Sequence, residues 1–352
     1  MSADLSPDTG RPELDAAMLL LARLGISPED LIAGATTATR PAPTFAEYVP
    51  QVVAATSPGT LKTYGSYWNK VVEKWGDRRL IEPSPLEIQQ LGKELRAARL
   101  VRRNGRGGSG TEENYVAAMR CLYRRAVADK YLTDAQNPAA KVDKPRRQPS
   151  TRRALPDARL AEIITVVATT GDDPALDSML LRLHTETACR RGGALALRRC
   201  DLDPKQCLIR LHEKGGTVRW QPVSPTLMRS LLAHWNERGD LDPASTGQLL
   251  RYRNGQQITY RRYDHLWQRV GEHLPWVATQ GISTHWLRHT IITWVERHFG
   301  YAVARAFAGH SQDSGDVGAT TTYIKAELHE VAAAVAALTE EPHPLAIDDL
   351  ER

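Results

Sequence analysis

The 352-residue sequence has little cysteine and no long apolar run. Its four cysteines include no C-x-x-C pair and show no spacing typical of a zinc site or a disulfide framework. We therefore expect them to be small buried residues in a reducing compartment. A stretch of roughly eighteen apolar residues, which a transmembrane helix requires, is missing. Residues 1–10 lack the basic and apolar segments of a secretory signal, so we expect a cytoplasmic protein.

The net charge of +5 is unevenly distributed along the chain. Residues 1–42 carry six acids and three bases, and residues 326–352 carry seven acids and one base, which leaves +14 on residues 43–325. A basic middle between acidic ends fits a body that neutralises phosphates and ends that contact protein or solvent. On charge alone, a basic body that merely keeps the protein soluble stays open as the less favoured interpretation.

The first 43 residues are expected to form an N-terminal arm and linker. Residues 12–24 are amphipathic at helical spacing and predict a helix. Residues 27–30, Ser-Pro-Glu-Asp, are a second helix start, and an Ala/Thr/Pro-rich stretch follows them.

Residues 44–145 predict a small all-helical domain, because the helical period continues through them without β alternation. One helix follows the start signal Ser-Pro-Gly-Thr at 57–60. A second helix begins at Thr111 and carries four apolar residues on one face: Tyr115, Met119, Leu122 and Ala126. Between the two helices, residues 102–108 form a basic glycine-rich loop.

A basic, proline-containing linker over residues 146–154 separates this region from a second domain over 155–325. The linker is either a solvated tether or a strap along a phosphate backbone. In the second domain, two helices are marked by Leu160, Ile163, Ile164 and Val167 and by Met179, Leu180 and Leu183. A β-hairpin is predicted from residues 207–212 and 218–223, with a turn at Gly215-Gly216. Residues 326–352 form a C-terminal helix and acidic tail.

The segment Ser-Thr-His-Trp-Leu-Arg-His at 283–289 places His285 and Arg288 one helical turn apart, on one face. The four-residue spacing of His285 and His289 is also that of a zinc-binding helix. However, a zincin has Glu directly after its first histidine, and that position is Trp286 here. A structural interpretation, with Arg288 paired to a carboxylate and the histidines packed, stays open for this segment alone.

Three segments in a fixed order resemble the conserved boxes of the tyrosine recombinase, or phage integrase, family. They are residues 187–203 (TACRRGGALALRRCDLD), 285–290 (HWLRHT) and 308–311 (AGHS), with a later Tyr323. A lysine-bearing hairpin lies between the first two, as in the family. The resemblance is clear over 155–325 and weaker over 45–150.

The resemblance implies an α + β fold that is mostly α. An all-helical, SAM-like core-binding domain would precede a mixed α/β catalytic domain with a small β-hairpin or sheet. The implied activity is site-specific, integrase-like DNA recombination through a 3′-phosphotyrosyl intermediate. Two alternatives stay open: type IB topoisomerase-like strand relaxation, and a catalytically inactive sequence-specific DNA-binding protein.

The resemblance also assigns six catalytic residues, matched position by position. They are Arg190, Lys214, His285, Arg288, His310 and Tyr323. Arg190 and Arg288 would bind the non-bridging phosphate oxygens through planar guanidinium forks, which are always charged. Lys214 would protonate the leaving 5′ oxygen.

The remaining three residues concern the nucleophile. Tyr323 would attack the phosphorus, His285 would accept or relay its proton, and His310 would hold the phosphate or orient its neighbours. The two arginines stand where other enzymes use Mg²⁺, so no metal is implied. Because the tyrosyl ester conserves the energy of the broken bond, no nucleotide or other cofactor is implied either.

Several of these positions have competitors in the sequence. Arg191 competes with Arg190, but the register of the following leucines and Asp201 favours Arg190. Lys214, taken alone, is an ordinary exposed turn residue. Tyr301 is explained as packing after a helix end at Gly300. Three further tyrosines, in a basic aromatic stretch that either contacts DNA or is a solvated surface, are Tyr252, Tyr260 and Tyr263.

Two departures from the family pattern affect the site. The family usually has an acid three residues after its first arginine, where this chain has Gly193, so the orientation of Arg190 must come from elsewhere. Tyr323 lies thirteen residues after His310, a few more than in the family. Whether the tyrosine acts in its own subunit or a neighbouring one stays open.

The implied partner is double-stranded DNA with inverted-repeat core sites, bound by a homotetramer on two duplexes in the bacterial nucleoid. Candidate DNA contacts are Lys62, Arg103, Arg106, Lys144, Arg146, Arg147, Arg152 and Arg153. The C-terminal helix either docks into the next subunit, as in the family, or packs on its own domain. The arm is expected to contact a neighbouring subunit, and a directionality or accessory factor is a further possible partner.

Overall fold

A computed structural model describes residues 12–25, 27, 41–98, 109–145, 153–213, 216–240, 242, 245–309 and 326–346. The chain divides into two compact units, Met1–Pro149 and Ser150–Arg352. Within the described ranges, no helix is long and apolar enough to cross a membrane.

The first unit consists of helices wherever it is described. They are α1 (Pro12–Leu24), α2 (Phe45–Ala54), α3 (Pro58–Trp75), α4 (Pro85–Ala97), α5 (Ser109–Ala128) and a 3₁₀ helix (Pro138–Lys141). Helix α1 forms where its amphipathic pattern predicts it. The second start expected at 27–30 and the loop at 102–108 lie outside the described residues, apart from Ser27.

The start signal before α3 acts as an N-cap, because the Ser57 hydroxyl accepts a hydrogen bond from the Thr60 amide. The apolar face of α3 then buries Trp68, whose indole N–H donates to the Ala118 carbonyl of α5 at 3.0 Å. Four residues predicted to share one face of α5 are all buried: Tyr115, Met119, Leu122 and Ala126. The core of this unit therefore forms between helices whose spacing is visible in the sequence.

The chain that follows α5 packs back on the same unit. Arg120 donates to the Val142 carbonyl at 2.7 Å, and Val142 is buried. Lys144 makes a 3.3 Å ion pair with Glu113. Residues 146–152, which are most of the predicted linker, lie outside the described residues.

The second unit combines eight helices with a small sheet in its described part. The helices are α6 (Asp157–Thr169), α7 (Pro174–Thr187), α8 (Arg191–Leu195), α9 (Pro225–Arg238), α10 (Tyr260–His273), α11 (Pro275–Gln280), α12 (Thr284–Ala308) and α13 (Leu328–Thr339), with a 3₁₀ turn at Arg199–Asp201. The strands are β1 (Leu202–Asp203), β2 (Leu208–His212) and β3 (Val218–Pro222). The mostly α, α + β fold class is confirmed. The predicted helix over residues 160–167 is present as α6, and of the residues that mark it Ile164 is 47% exposed.

The sheet is antiparallel in the order β1-β2-β3, and it contains the predicted hairpin. His212 pairs with Val218 across the turn, and Leu208 pairs with Pro222 at the other end. Strand β3 alternates as a strand should, but its polar residues are on the inner face. Arg219 and Gln221 point inward, while Val218 and Trp220 are exposed. Two polar side chains are thereby delivered to the interior behind the hairpin.

The C-terminal helix α13 packs on its own unit in the single chain. Val331 and Val335 are buried in a cluster with Ile291 and Phe307 of α12. Beyond the helix, the Glu341 carboxylate accepts from Arg182 at 2.6 Å and from the Thr226 amide at 3.0 Å. Of the two interpretations of this helix, the single chain thus adopts the one in which it completes its own domain.

His184 of α7 is a buried histidine that links several segments of the second unit. Its Nδ1 lies 3.0 Å from the Cys189 carbonyl and its Nε2 lies 2.9 Å from the Tyr263 hydroxyl. Burial lowers the pKa of His184 to about 4, below the about 6.5 of an exposed histidine. In the range between these two values the unfolded chain binds the proton and the folded chain does not. Folding stability therefore falls as pH falls through that range.

We expect His184→Gln to remove this part of the pH dependence, which amounts to at most about 1.4 kcal/mol per pH unit. The difference in unfolding free energy between wild type and variant should shrink as pH falls from about 7 to about 5. Urea unfolding at several pH values measures it. His234, whose pKa burial also lowers to about 4, is present in both proteins and cancels. If the difference in unfolding free energy between wild type and His184→Gln does not change with pH, the lowered pKa of His184 is contradicted.

Candidate active site

A cleft of about 880 Å³ in the second unit brings together three of the six predicted catalytic residues. Arg190 lies at the start of α8, and His285 and Arg288 lie in the first turns of α12. The other lining residues that carry chemistry are Arg191, His212, Glu213, Tyr260 and Asp264. Two segments about a hundred residues apart in the sequence therefore meet at one surface.

The other three predicted residues lie outside the described residues. Lys214 directly follows Glu213, which lines the cleft, and His310 directly follows Gly309, the last described residue of its segment. Tyr323 belongs to residues 310–325, and the described chain resumes at Ala326.

Arg190 is the residue before α8, with an extended backbone and a side chain that is 40% exposed. Its Nη1 donates to Glu213 Oε2 at 2.6 Å. The competing Arg191 pairs instead with the exposed Asp264 at 3.3 Å, and its guanidinium lies over the Tyr260 ring. Both arginines line the cleft, but the ion pair with a buried carboxylate belongs to Arg190.

Arg288 is almost completely buried, and its guanidinium joins the ends of two helices. Nη1 donates to the Ala188 carbonyl after α7, and Nη2 donates to the Ala308 carbonyl of α12 at 2.6 Å. These carbonyls belong to the negative ends of the helix dipoles, where a cation is favoured. Burial, and next the charge of Arg190, lower the pKa of Arg288 to about 10, so it stays charged at neutral pH. The two partners described here are main-chain carbonyls, whereas the structural interpretation expected a carboxylate.

His285 is exposed to the cleft one turn before Arg288. Its ring meets that of His289 edge to face, with centroids 4.8 Å apart. Among the described residues, no group of three or more His, Cys, Asp or Glu side chains is arranged to hold a metal ion. The chemistry that these residues offer is recognition of an oxyanion by guanidinium groups with an imidazole beside them.

Arg219 of β3 lies beside the cleft residue Glu213, and sequence reasoning missed it. Its side chain is 12% exposed, donates to the Thr187 carbonyl at 3.3 Å and approaches Glu213 Oε1 to 3.6 Å. Burial lowers the pKa of Arg219. The available signal was the alternation in Val-Arg-Trp-Gln, which puts Arg219 and Gln221 on one face of the strand.

Gly309 allows α12 to end against Arg219. Its φ of +62° is in the left-handed region, and a Cβ at this position would collide with the Arg219 guanidinium. The glycine therefore brings the main chain before His310 close to the hairpin.

The competing tyrosines occupy different environments. Tyr263 is buried, and burial raises its pKa well above the ordinary value. Tyr252 is partly buried beside the core under the sheet. Tyr301 is 50% exposed, so the expectation that it packs is wrong, although Gly300 does interrupt the helix with a φ of +81°. Tyr260 lines the cleft and is 45% exposed.

Three of the eight candidate DNA contacts are described. Lys62 on α3, Lys144 and Arg153 are all exposed, and Lys144 is paired with Glu113. The other five lie outside the described residues: Arg103, Arg106, Arg146, Arg147 and Arg152.

Comparison with known protein families matches residues 154–327 to the phage integrase family. A tyrosine recombinase XerC of Chlamydia muridarum is 24% identical over 318 residues, covering 82% of this chain and 96% of the relative. A tyrosine recombinase XerC of Chlamydia caviae is 29% identical over 164 residues, covering 44% of this chain and half of the relative.

Two solved structures show the same fold. A lambda integrase tetramer bound to a Holliday junction aligns with a TM-score of 0.59 at 14% identity, covering 89% of this chain and 87% of that one. The Tn1549 transposon integrase in complex with transposon right end DNA aligns with a TM-score of 0.58 at 15% identity, covering 84% of this chain and all of that one.

We expect Arg288→Lys to lower the unfolding free energy by about 1–3 kcal/mol, because a single ammonium does not span both carbonyls and leaves one of them buried without a partner. Urea unfolding measures the change. Arg305→Lys is the matched control on the same helix, since Arg305 donates to the exposed Tyr301 hydroxyl. That variant should stay within about 0.5 kcal/mol of wild type. Equal effects of the two substitutions would rule out the bridging role of Arg288.

Proposed function

We infer that this chain, which belongs to the phage integrase family of tyrosine recombinases, cleaves and rejoins DNA strands as a site-specific recombinase. The observation that carries this inference is the meeting of Arg190, His285 and Arg288 in one cleft. These are the residues that the family motif assigns to phosphate binding and proton transfer. The comparisons favour neither topoisomerase-like relaxation nor DNA binding without catalysis.

We propose that Arg190 and Arg288 bind the non-bridging oxygens of the scissile phosphate. Negative charge grows on these oxygens during in-line displacement, and guanidinium groups that are already in place stabilise it without reorganisation. Arg288 is held by two carbonyls and Arg190 by one carboxylate, so both cations have defined positions before DNA binds. Loss of one such donor typically costs about 10²–10³ in rate.

The remaining roles follow the family motif. The Tyr323 oxygen attacks the phosphorus and the bond to the 5′ oxygen breaks, which leaves a 3′-phosphotyrosyl ester. His285 takes the tyrosine proton, Lys214 gives a proton to the 5′ oxygen, and His310 contacts the phosphate. The reverse attack, by the 5′ hydroxyl of another strand, rejoins the DNA.

We propose double-stranded DNA with inverted-repeat core sites as the substrate, bound by four copies of the chain on two duplexes. The fold that this chain shares with a lambda integrase tetramer on a Holliday junction supports the assembly. The helical first unit would contribute core-type DNA contacts. A directionality or accessory factor belongs to the same proposal, and residues 1–42 would contact a neighbouring subunit.

The nucleophile is tested with a DNA duplex selected for binding from a random-sequence pool and nicked close to the cleavage point. Wild type and Tyr260→Phe should form a denaturation-resistant protein–DNA adduct, and Tyr323→Phe should form none, because only it lacks the attacking oxygen. Gel electrophoresis after denaturation measures the adduct. An adduct with Tyr323→Phe but not with Tyr260→Phe would move the nucleophile to Tyr260. No adduct from wild type, despite tight binding, would reject the enzymatic function.

The DNA contact proposed for Lys62 predicts a change in salt dependence. Lys62→Ala should weaken binding and reduce the slope of log affinity against log salt concentration by about 0.9, which corresponds to one lost phosphate contact. Lys70→Ala is the control on the same helix, because it removes an exposed lysine that is not among the proposed DNA contacts. Fluorescence anisotropy between about 50 and 200 mM salt measures both slopes. An unchanged slope for Lys62→Ala would exclude that contact.

A further inference from the structure

Gly193 stands three residues after Arg190, and the Glu213 carboxyl group occupies the space that a side chain at 193 would enter. A Cβ built on Gly193 would lie 3.6 Å from the His212 carbonyl oxygen and 3.8 Å from both Glu213 Cδ and Oε1. These are ordinary contact distances, so the main chain tolerates a Cβ. A longer acidic side chain at 193, however, would enter the volume that the Glu213 carboxyl group already fills.

Glu213 is a buried carboxylate surrounded by cations. Its side chain is 1% exposed, and its Oε2 accepts from Arg190 at 2.6 Å. Its Oε1 lies 3.6 Å from Arg219 Nη2 and makes no hydrogen bond within the described part of the chain. Arg288 lines the same cleft as Arg190 and Glu213. Burying a charged carboxylate is costly unless a cation pairs with it, so the ion pair with Arg190 is what makes the burial of Glu213 tolerable.

The pairing also restricts Arg190. Its side chain is 40% exposed and would otherwise exchange among several rotamers. The bond from Nη1 is its only hydrogen bond to another described residue, so the remaining N–H groups of the guanidinium stay available. One group of the arginine is fixed to the protein while the others face the cleft.

We propose that Glu213, at the end of β2, is the positioning residue of Arg190 and performs the role of the acid that the family has at position 193. This proposal rests on the recombinase function proposed above. Because Glu213 directly precedes Lys214 in the sequence, one strand end then both orients the arginine and leads into the lysine. The acid that the family has at position 193 is thus absent, and a carboxylate at 213 reaches Arg190 from the end of the sheet rather than from α8.

Relocating the carboxylate tests the proposal. Four variants are compared with wild type on the selected duplex: Glu213→Gln, Glu213→Ala, Gly193→Glu, and the double variant Gly193→Glu with Glu213→Ala. Non-covalent affinity and the single-turnover rate of adduct formation are measured separately for each. Thermal unfolding reports whether each variant is folded, and Glu213→Gln keeps the shape of the side chain if Glu213→Ala does not fold.

Both Glu213 variants should form the adduct about 10- to 100-fold more slowly than wild type, the usual range for loss of an orienting partner. Their affinity should be unchanged or higher, because a negative charge has been removed from a phosphate site. Gly193→Glu alone should also be slow, since two carboxylates then compete for one space. The double variant should recover most of the lost rate, which a purely structural role of Glu213 would not allow.

Three results would overturn the proposal. The first is a folded Glu213→Gln or Glu213→Ala protein that forms the adduct within about threefold of the wild-type rate. The second is a folded double variant that is no faster than Glu213→Ala. The third is a loss of rate and affinity in equal measure. In all three cases wild type still forms its adduct, whereas failure of wild type to form one would reject the recombinase function itself and this role with it.

Discussion

The arrangement of the catalytic unit depends on Arg288, which donates to the carbonyls of Ala188 and Ala308. Ala188 is left-handed and ends α7, two residues before Arg190, while Ala308 precedes Gly309 and His310. The Arg288 guanidinium therefore joins the motif segments at 187–203 and 308–311 to α12, the helix that carries the segment at 285–290. The same side chain is the one proposed to bind the phosphate, so one group would both hold the structure and take part in the reaction.

Buried carboxylates account for much of the arginine in the basic middle of the chain. Hydrogen bonds from Arg198, His212 and Arg210 overcome the effect of burial and lower the pKa of Asp201 to about 2. Asp173 pairs with Arg238 at 2.5 Å in the same way. Since these arginines are paired with carboxylates of the protein, the number of basic residues overstates the number of cations that face a DNA backbone. Charge counted along a sequence does not distinguish the two uses.

Local patterns in the sequence predicted local structure well. The Ser57 cap, the apolar face of α5 and the β-hairpin depend on residues a few positions apart, and the structure has them as predicted. Helices α2 and α4 were not separated, although each begins with a capping box. The short strand β1 was missed because two residues show no period.

The motif boxes predicted three site residues that do meet. They did not predict Arg219 or Glu213. The alternation of β3 puts Arg219 and Gln221 on one face, but it does not show which groups across the fold that face meets, and Glu213 lies just after β2, beyond the alternation. Lys214, His310 and Tyr323 remain predictions, since they lie outside the described residues.

In the single chain, α13 covers an apolar surface formed by residues that include Ile291, Val295 and Phe307. If subunits exchange this helix, each helix that leaves exposes an apolar surface that another helix must cover. In a closed ring every apolar surface is covered by the helix of a neighbouring subunit. In an open row, the surface of one terminal subunit and the helix of the other stay uncovered. The area buried per subunit is then nearly equal before and after exchange. Ring closure on DNA, rather than the affinity of the helix for the apolar surface, would set the number of subunits.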